Sequence, residues 1–169
     1  MALSMYEASV PLFLRGLDQL THVLNKGAAH AQAGSVDPAT LVQARLAPDM
    51  FTLAGQVQRA SDTAKASIAR LSGVAAPAMA DDEASFDDLL QRCAKTRAYI
   101  AGVAPDAFKG SGERVIEMKM PGHAVKFNGQ AYLLQFGIPN FFFHLTTAYD
   151  ILRQQGVPLS KLDYIGPLG

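Results

Sequence analysis

The sequence predicts an all-α fold, a four-helix bundle carrying one small accessory β-hairpin, on three observations. Apolar residues recur at spacings of three and four along four separate stretches, a pattern that only a helix gathers onto one side. One stretch, residues 113–127, switches to strict alternation, the mark of strands. The chain has 169 residues and is 49% hydrophobic, enough to bury roughly 70% of its unfolded surface around one core. A single domain spanning 1–169 is therefore expected.

Leu3, Tyr6, Val10, Phe13, Leu17, Leu20 and Leu24 mark the first helix, which Gly34 ends. Pro11 falls in phase with that stripe, so the helix is either kinked there or starts at Ser9 and Val10. DPATLVQARL adds a short helical turn after Asp37. Met50, Leu53, Val57, Ala60, Ala64, Ile68 and Leu71 form the second stripe, with Pro48 and Asp49 as its start and Gly73 as its stop. AAPAMADDEA, residues 75–84, reads as a linker from its small residues, proline and charge.

The third helix starts near Ser85, where Asp88 completes a capping box. It buries Phe86, Leu89, Cys93, Thr96, Ile100 and Val103 and stops before Pro105. Ile116, Met118 and Met120 then alternate with Glu117 and Lys119, PGH turns the chain at 121–123, and AVKF returns it. A lone hairpin is marginal in water, so it must pack on the helices. Pro139 is the expected first residue of the fourth helix, whose inward positions are Phe141, Leu145, Ala148, Tyr149 and Leu152. Gly156, Val157 and Pro158 stop it. The extended tail beyond brings Leu159, Leu162, Tyr164 and Ile165 to cover the bundle.

Charge and motifs exclude several function classes. Fifteen basic and fifteen acidic side chains cancel, so no global field draws nucleic acid or an anionic membrane. No run approaches the length of a membrane span. The N-terminus carries Glu7 and Arg15 without a basic leader, unlike a signal peptide. Cys93 is the single cysteine; it excludes an intramolecular disulfide, fits the cytoplasm, and reads as a small buried apolar side chain. There is no Gly-rich phosphate loop and no nucleophile elbow.

SMYEASVPLFLRGL at the start and GIPNFFFHLTTAYDILRQQGVPLSKLDYIG at the end resemble a bacterial family of unknown function grouped with the DinB/YfiT-like metalloenzymes. The resemblance covers nearly the whole chain and is most specific over the last thirty residues. It implies a four-helix bundle with a long crossover, a homodimer, and a divalent metal such as zinc or nickel held by three histidines. Of these, one comes from the second helix and two from a His-x-x-x-His pair on the last. At the matching positions this chain has His144, Asn140 in place of its partner, and Gln56 on the second helix. One imidazole and two carboxamides make a degenerate metal site, since neutral amide oxygens are poor ligands for zinc or nickel.

His144 is accordingly the candidate catalytic residue, a general acid/base or surviving ligand; the competing reading is a half-buried histidine satisfied by a carbonyl or by Asn140. Asn140 equally suits a helix cap. His22 reads as solvated, His30 lies near a helix end and His123 sits in a turn; none has ligand spacing to another. Phe141, Phe142 and Phe143 are core packing, pocket lining or a dimer surface. Asp81, Asp82, Glu83, Asp87 and Asp88 could draw a cation but also suit a helix start. Ser160 and Lys161 read as exposed polar residues. The functional expectation is a small-molecule-binding bundle with its site at His144, Asn140 and Gln56. Two alternatives remain open, a metal-dependent transferase or isomerase acting on thiol adducts and a non-enzymatic structural or stress-associated dimer.

Overall fold

In the computed structural model, which describes residues 3–34, 36–120 and 122–167, four long helices enclose one continuous apolar core. Ser4 begins helix α1, Met5–Gln32, with a capping box closed by Glu7. The helix runs on through Pro11, so the alternative start at Ser9 is excluded, and Leu3 lies outside it, exposed. After the short α2, Pro38–Gln43, the chain turns through residues 44–52, closed by a bridge between Arg45 and Thr52. The cap of α3, Leu53–Ser72, is Thr52, whose hydroxyl accepts from Gly55 N–H. The helix therefore begins later than Pro48 and Asp49 suggested, because those residues are used in the turn. Gly73 at φ +81° ends it, a conformation only glycine adopts cheaply.

Helix α4, Phe86–Ala101, carries the expected Ser85–Asp88 box. A 3₁₀ turn at Pro105–Phe108 then leads into strands β1, Val115–Met120, and β2, His123–Asn128, paired antiparallel from Val115 against Asn128 to Met120 against His123. Ile116 and Met118 face the helices as the alternation requires. Pro121 of the expected turn lies outside the described residues.

The last long helix differs most from expectation. It starts ten residues before Pro139, at Gly129, where Asn128 Oδ1 accepts from Ala131 N–H at 2.8 Å. It comprises α5, Gly129–Tyr132, a wide π turn over Leu133–Gly137, and α6, Ile138–Gln154, without a break. In the π turn Ile138 N–H reaches back five residues to Leu133 O. A proline inside a helix removes a hydrogen bond and crowds the carbonyl four residues earlier; the wide turn lies immediately upstream of Pro139. Gly156 at φ +87° then ends α6 as expected, with Val157 N–H returning to Leu152 O. The tail is not extended throughout: it forms α7, Lys161–Ile165. Leu159 is buried, whereas Leu162 is exposed and α7 buries no residue.

Helix α1 packs on α4 and α6, and α3 packs on the same two. Contacts fix the directions. Arg97 meets Asp18 and Phe86 nears Gly27, so α4 runs antiparallel to α1; His144 meets Gln56 and Asn140 meets Thr63, so α6 runs antiparallel to α3. Phe141 beside Gly16 and Leu152 beside Gly27 set α6 parallel to α1. It follows that α3 and α4 are parallel, and residues 73–85 must cross back along the bundle between them.

That crossover is fastened at every step. Tyr99 hydroxyl donates to Val74 O, Lys65 Nζ to Pro77 O and Gln58 Nε2 to Glu83, while Arg59 pairs with Asp81. Arg92 is the centre: 2% exposed, it donates to Ala80 O, Glu83 and Asp62 at 2.7 to 3.0 Å and pairs with Asp81. No described helix is long and apolar enough to cross a membrane.

Two stability outcomes follow. Arg92→Ala leaves Asp62, Asp81 and Glu83 without their shared counter-ion and is expected to cost about 3–5 kcal/mol in urea unfolding. Ending the chain after Ser160 removes the surface ion pairs of α7 and the partly buried Tyr164 ring beside Tyr149, together worth about 1–2 kcal/mol. Ending it after Gln155 also removes buried Val157 and Leu159 and should cost roughly 3–6 kcal/mol; equal losses from both truncations would contradict this division of the tail.

Candidate functional site

His144 lies on the α3-facing side of α6 and is 7% exposed. Its Nδ1 is 2.7 Å from Gln56 Oε1, and Gln56 is itself only 1% exposed. The amide is oriented by its other end, since Gln56 Nε2 donates to Phe51 O at 3.4 Å. Oε1 therefore faces the imidazole as acceptor and Nδ1 carries the proton. Nε2 then holds the lone pair, and it takes no hydrogen bond among the described residues.

The ring is bounded by two aromatics that reach the surface, Phe51 at 54% exposure and Phe143 at 55%. Their centroids lie 6.4 and 5.3 Å from that of His144, and the Arg59 guanidinium sits 6.0 Å above the Phe51 ring. Burial first, and the Arg59 charge second, hold His144 below the ordinary imidazole value.

The structure brings Gln56 and His144 together, but as a hydrogen-bonded pair. Asn140 is half-buried one turn away and donates from Nδ2 to Thr63 Oγ1 at 2.7 Å, which in turn donates to Arg59 O. It is not a helix cap, because the helix began at Gly129. This donor set does not fit zinc or nickel: one imidazole nitrogen is open and the Gln56 oxygen is committed to Nδ1–H. No group of three His, Cys, Asp or Glu side chains that could hold a metal occurs among the described residues.

The other candidates fall into place around the fold. His22, expected to be solvated, bonds Asp163 at 2.8 Å alongside Lys26, tying α7 to α1. His30 is in the last turn of α1 and His123 opens β2. Ser160 is not a free tail residue; its N–H and hydroxyl both donate to Asp163 Oδ2. Asp81 and Glu83 are neutralised by Arg92, and Asp88 is committed to the α4 cap, where it accepts from Ser85. A cavity of about 640 Å³ between the crossover and α4 has Glu83, Asp88 and Arg92 in its lining, together with Asp82 and Lys95. Burial pushes the Cys93 thiol up to about 12, leaving it protonated as apolar filling. Sequence reasoning missed the Arg92 cluster, although Asp62 spaced three residues from both Arg59 and Lys65 was a readable sign of a charged network on α3.

A family described as a domain of unknown function, DUF1993, matches residues 5–165. The chain belongs to this family. A crystal structure of a DinB family member protein from Shewanella denitrificans superposes with a TM-score of 0.87 and 37% sequence identity, covering 97% of this chain and 93% of that one. No curated protein matches the chain. The DUF1993 chain thus shares its helical fold with a DinB family member.

Two outcomes test the His144–Gln56 pair. Gln56→Leu strands a buried Nδ1–H and is expected to destabilise the fold by about 1–3 kcal/mol. His144 is kept neutral when folded and protonates more readily when unfolded, so its contribution is complete above the ordinary imidazole value and is lost as pH falls below it. Urea midpoints should therefore drop in mild acid less steeply for His144→Gln than for the parent.

Proposed function

We propose that this protein is a small-molecule-binding bundle in which His144 acts without a metal, as an oriented neutral base. The observation that carries the reading is the 2.7 Å contact from Nδ1 to Gln56 Oε1, which fixes the tautomer and leaves Nε2 as an acceptor at the edge of the exposed Phe51 and Phe143 rings. A ligand suited to this setting has a flat apolar body to lie against those rings and a hydroxyl, amide or thiol hydrogen for Nε2. Arg59 beside Phe51 is already paired with Asp62 and Asp81, so the setting suits a neutral ligand. In an enzyme Nε2 would take that proton, with the Gln56 carbonyl stabilising the imidazolium that forms. The reading places the chain in the cytoplasm, where a single buried thiol needs no partner.

The test is ¹⁵N NMR of the histidine rings together with a fragment screen. The expected result is a pyrrole-type Nδ1 and a pyridine-type Nε2 for His144, with fragments that shift Phe51, Phe143 and His144 and are lost in His144→Asn. A silent His144 in every screen favours the structural-dimer alternative, a symmetric pair burying at least roughly 1,000 Å² in total, which a concentration-independent monomer mass in light scattering would rule out.

Calorimetry with Zn²⁺ addresses the metal. The parent is expected to bind weakly, and Gln56→His with Asn140→His to bind far more tightly, because positions 140 and 144 are one turn apart and 56 already touches 144. Stoichiometric, tight zinc in the parent would overturn the proposal in favour of the metal-dependent transferase or isomerase.

A further inference from the structure

The structure assigns a second ligand site, independent of His144, in the seam between α1, α6 and α7, and we propose that it takes a small apolar molecule bearing one carboxylate. A cavity of about 520 Å³ lies there, within the roughly 300–1,000 Å³ typical of small-molecule sites. Its lining is mainly apolar: Leu12 and Gly16 of α1, Phe142 and Leu145 of α6, Tyr164 and Ile165 of α7. Gly16 lets α1 and α6 approach closely beneath the cavity, since a Cβ there would meet the buried Phe141 ring at 2.3 Å.

The polar groups are few and separated. Arg15 lines the cavity and donates through one Nη to Ile165 O at 2.8 Å and Pro167 O at 3.2 Å; its Nε and other Nη take no hydrogen bond among the described residues. These two donors lie on different edges of the guanidinium, so a carboxylate takes one charge-assisted hydrogen bond from either of them. Glu7 lines the site two turns before Arg15, which repels an anion from that end and orients the ligand with its charge at Arg15. Asp18, the other acid nearby in sequence, is paired with Arg97.

The wall formed by α7 is suited to admit a ligand. It buries no residue fully and is held mainly by polar contacts, Asp163 to His22 and Lys26, Tyr164 hydroxyl to Thr146, and Arg15 to Ile165 O and Pro167 O, with the Tyr164 ring packed edge-on against Tyr149. Such an element can move without opening the core.

The experiment compares decanoate with decanol, equal in chain length and differing in charge, by calorimetry and backbone NMR on the full chain. Wild type is expected to bind decanoate about tenfold or more tightly than decanol, as a charge-assisted hydrogen bond of about 1.5–3 kcal/mol provides. Shifts should centre on Leu12, Phe142 and Tyr164. Arg15→Gln should bring the two affinities together, Arg15→Lys should keep part of the preference, and His144→Asn should leave both unchanged. Asp163→Asn, which loosens α7 without touching the cavity, should weaken both ligands equally and so keep their ratio. No binding of either ligand, a ratio unchanged in Arg15→Gln, or shifts centred on Phe51 and Phe143 would each overturn the assignment.

Discussion

A guanidinium buried in a helical bundle must be neutralised where it stands, and the architecture depends on how that is done at Arg92. Removing an ion from water costs several kcal/mol even after relaxation. Arg92 recovers this from three carboxylates and a carbonyl drawn from α3 and the crossover. Because α3 and α4 are parallel, the chain between them must travel the length of the bundle without regular structure. Its alanines and single proline bury too little to hold it. The charges do so instead, and one seam of α3 is thereby closed, leaving its opposite seam, against α6, to carry the histidine.

The helices were legible because burial repeats with the helical period, and each stripe named in the sequence supplies core residues. Start signals were less reliable. Pro48 and Pro139 both look like first residues of helices, yet one sits in a turn and the other inside a helix, since a proline reports only its own φ and missing donor. Asn128 was the true cap of the last helix and was hidden by the strand it ends. The pairing of His22 with Asp163, far apart in sequence, had no local sign at all.

The candidate site was half legible. Positions 56 and 144 do meet, but sequence could not distinguish a glutamine that coordinates from one that orients its neighbour, because that depends on which amide end faces the ring. The three consecutive phenylalanines were read as a unit and do not act as one. Successive helical residues point about 100° apart, so Phe141 goes to the core beside Phe13, Phe142 to the α7 cavity, and Phe143 to the surface beside His144. One short run thus serves three environments.

The π turn sets a phase relation along the whole α3 seam. Gln56 and Ser67 are eleven residues apart on α3, which brings them within about 20° of each other. Their partners, His144 and Tyr132, are twelve apart, and in an uninterrupted α-helix that spacing would swing one of them about 120° away. The extra residue accommodated between Leu133 and Gly137 cancels the difference. The turn is therefore a vernier between two helices of unequal count, and a chain with one residue fewer there could keep both contacts on an ordinary helix. Loss of that one residue is neutral for the site, whereas the same change between Gly137 and His144 would rotate the imidazole out of the seam.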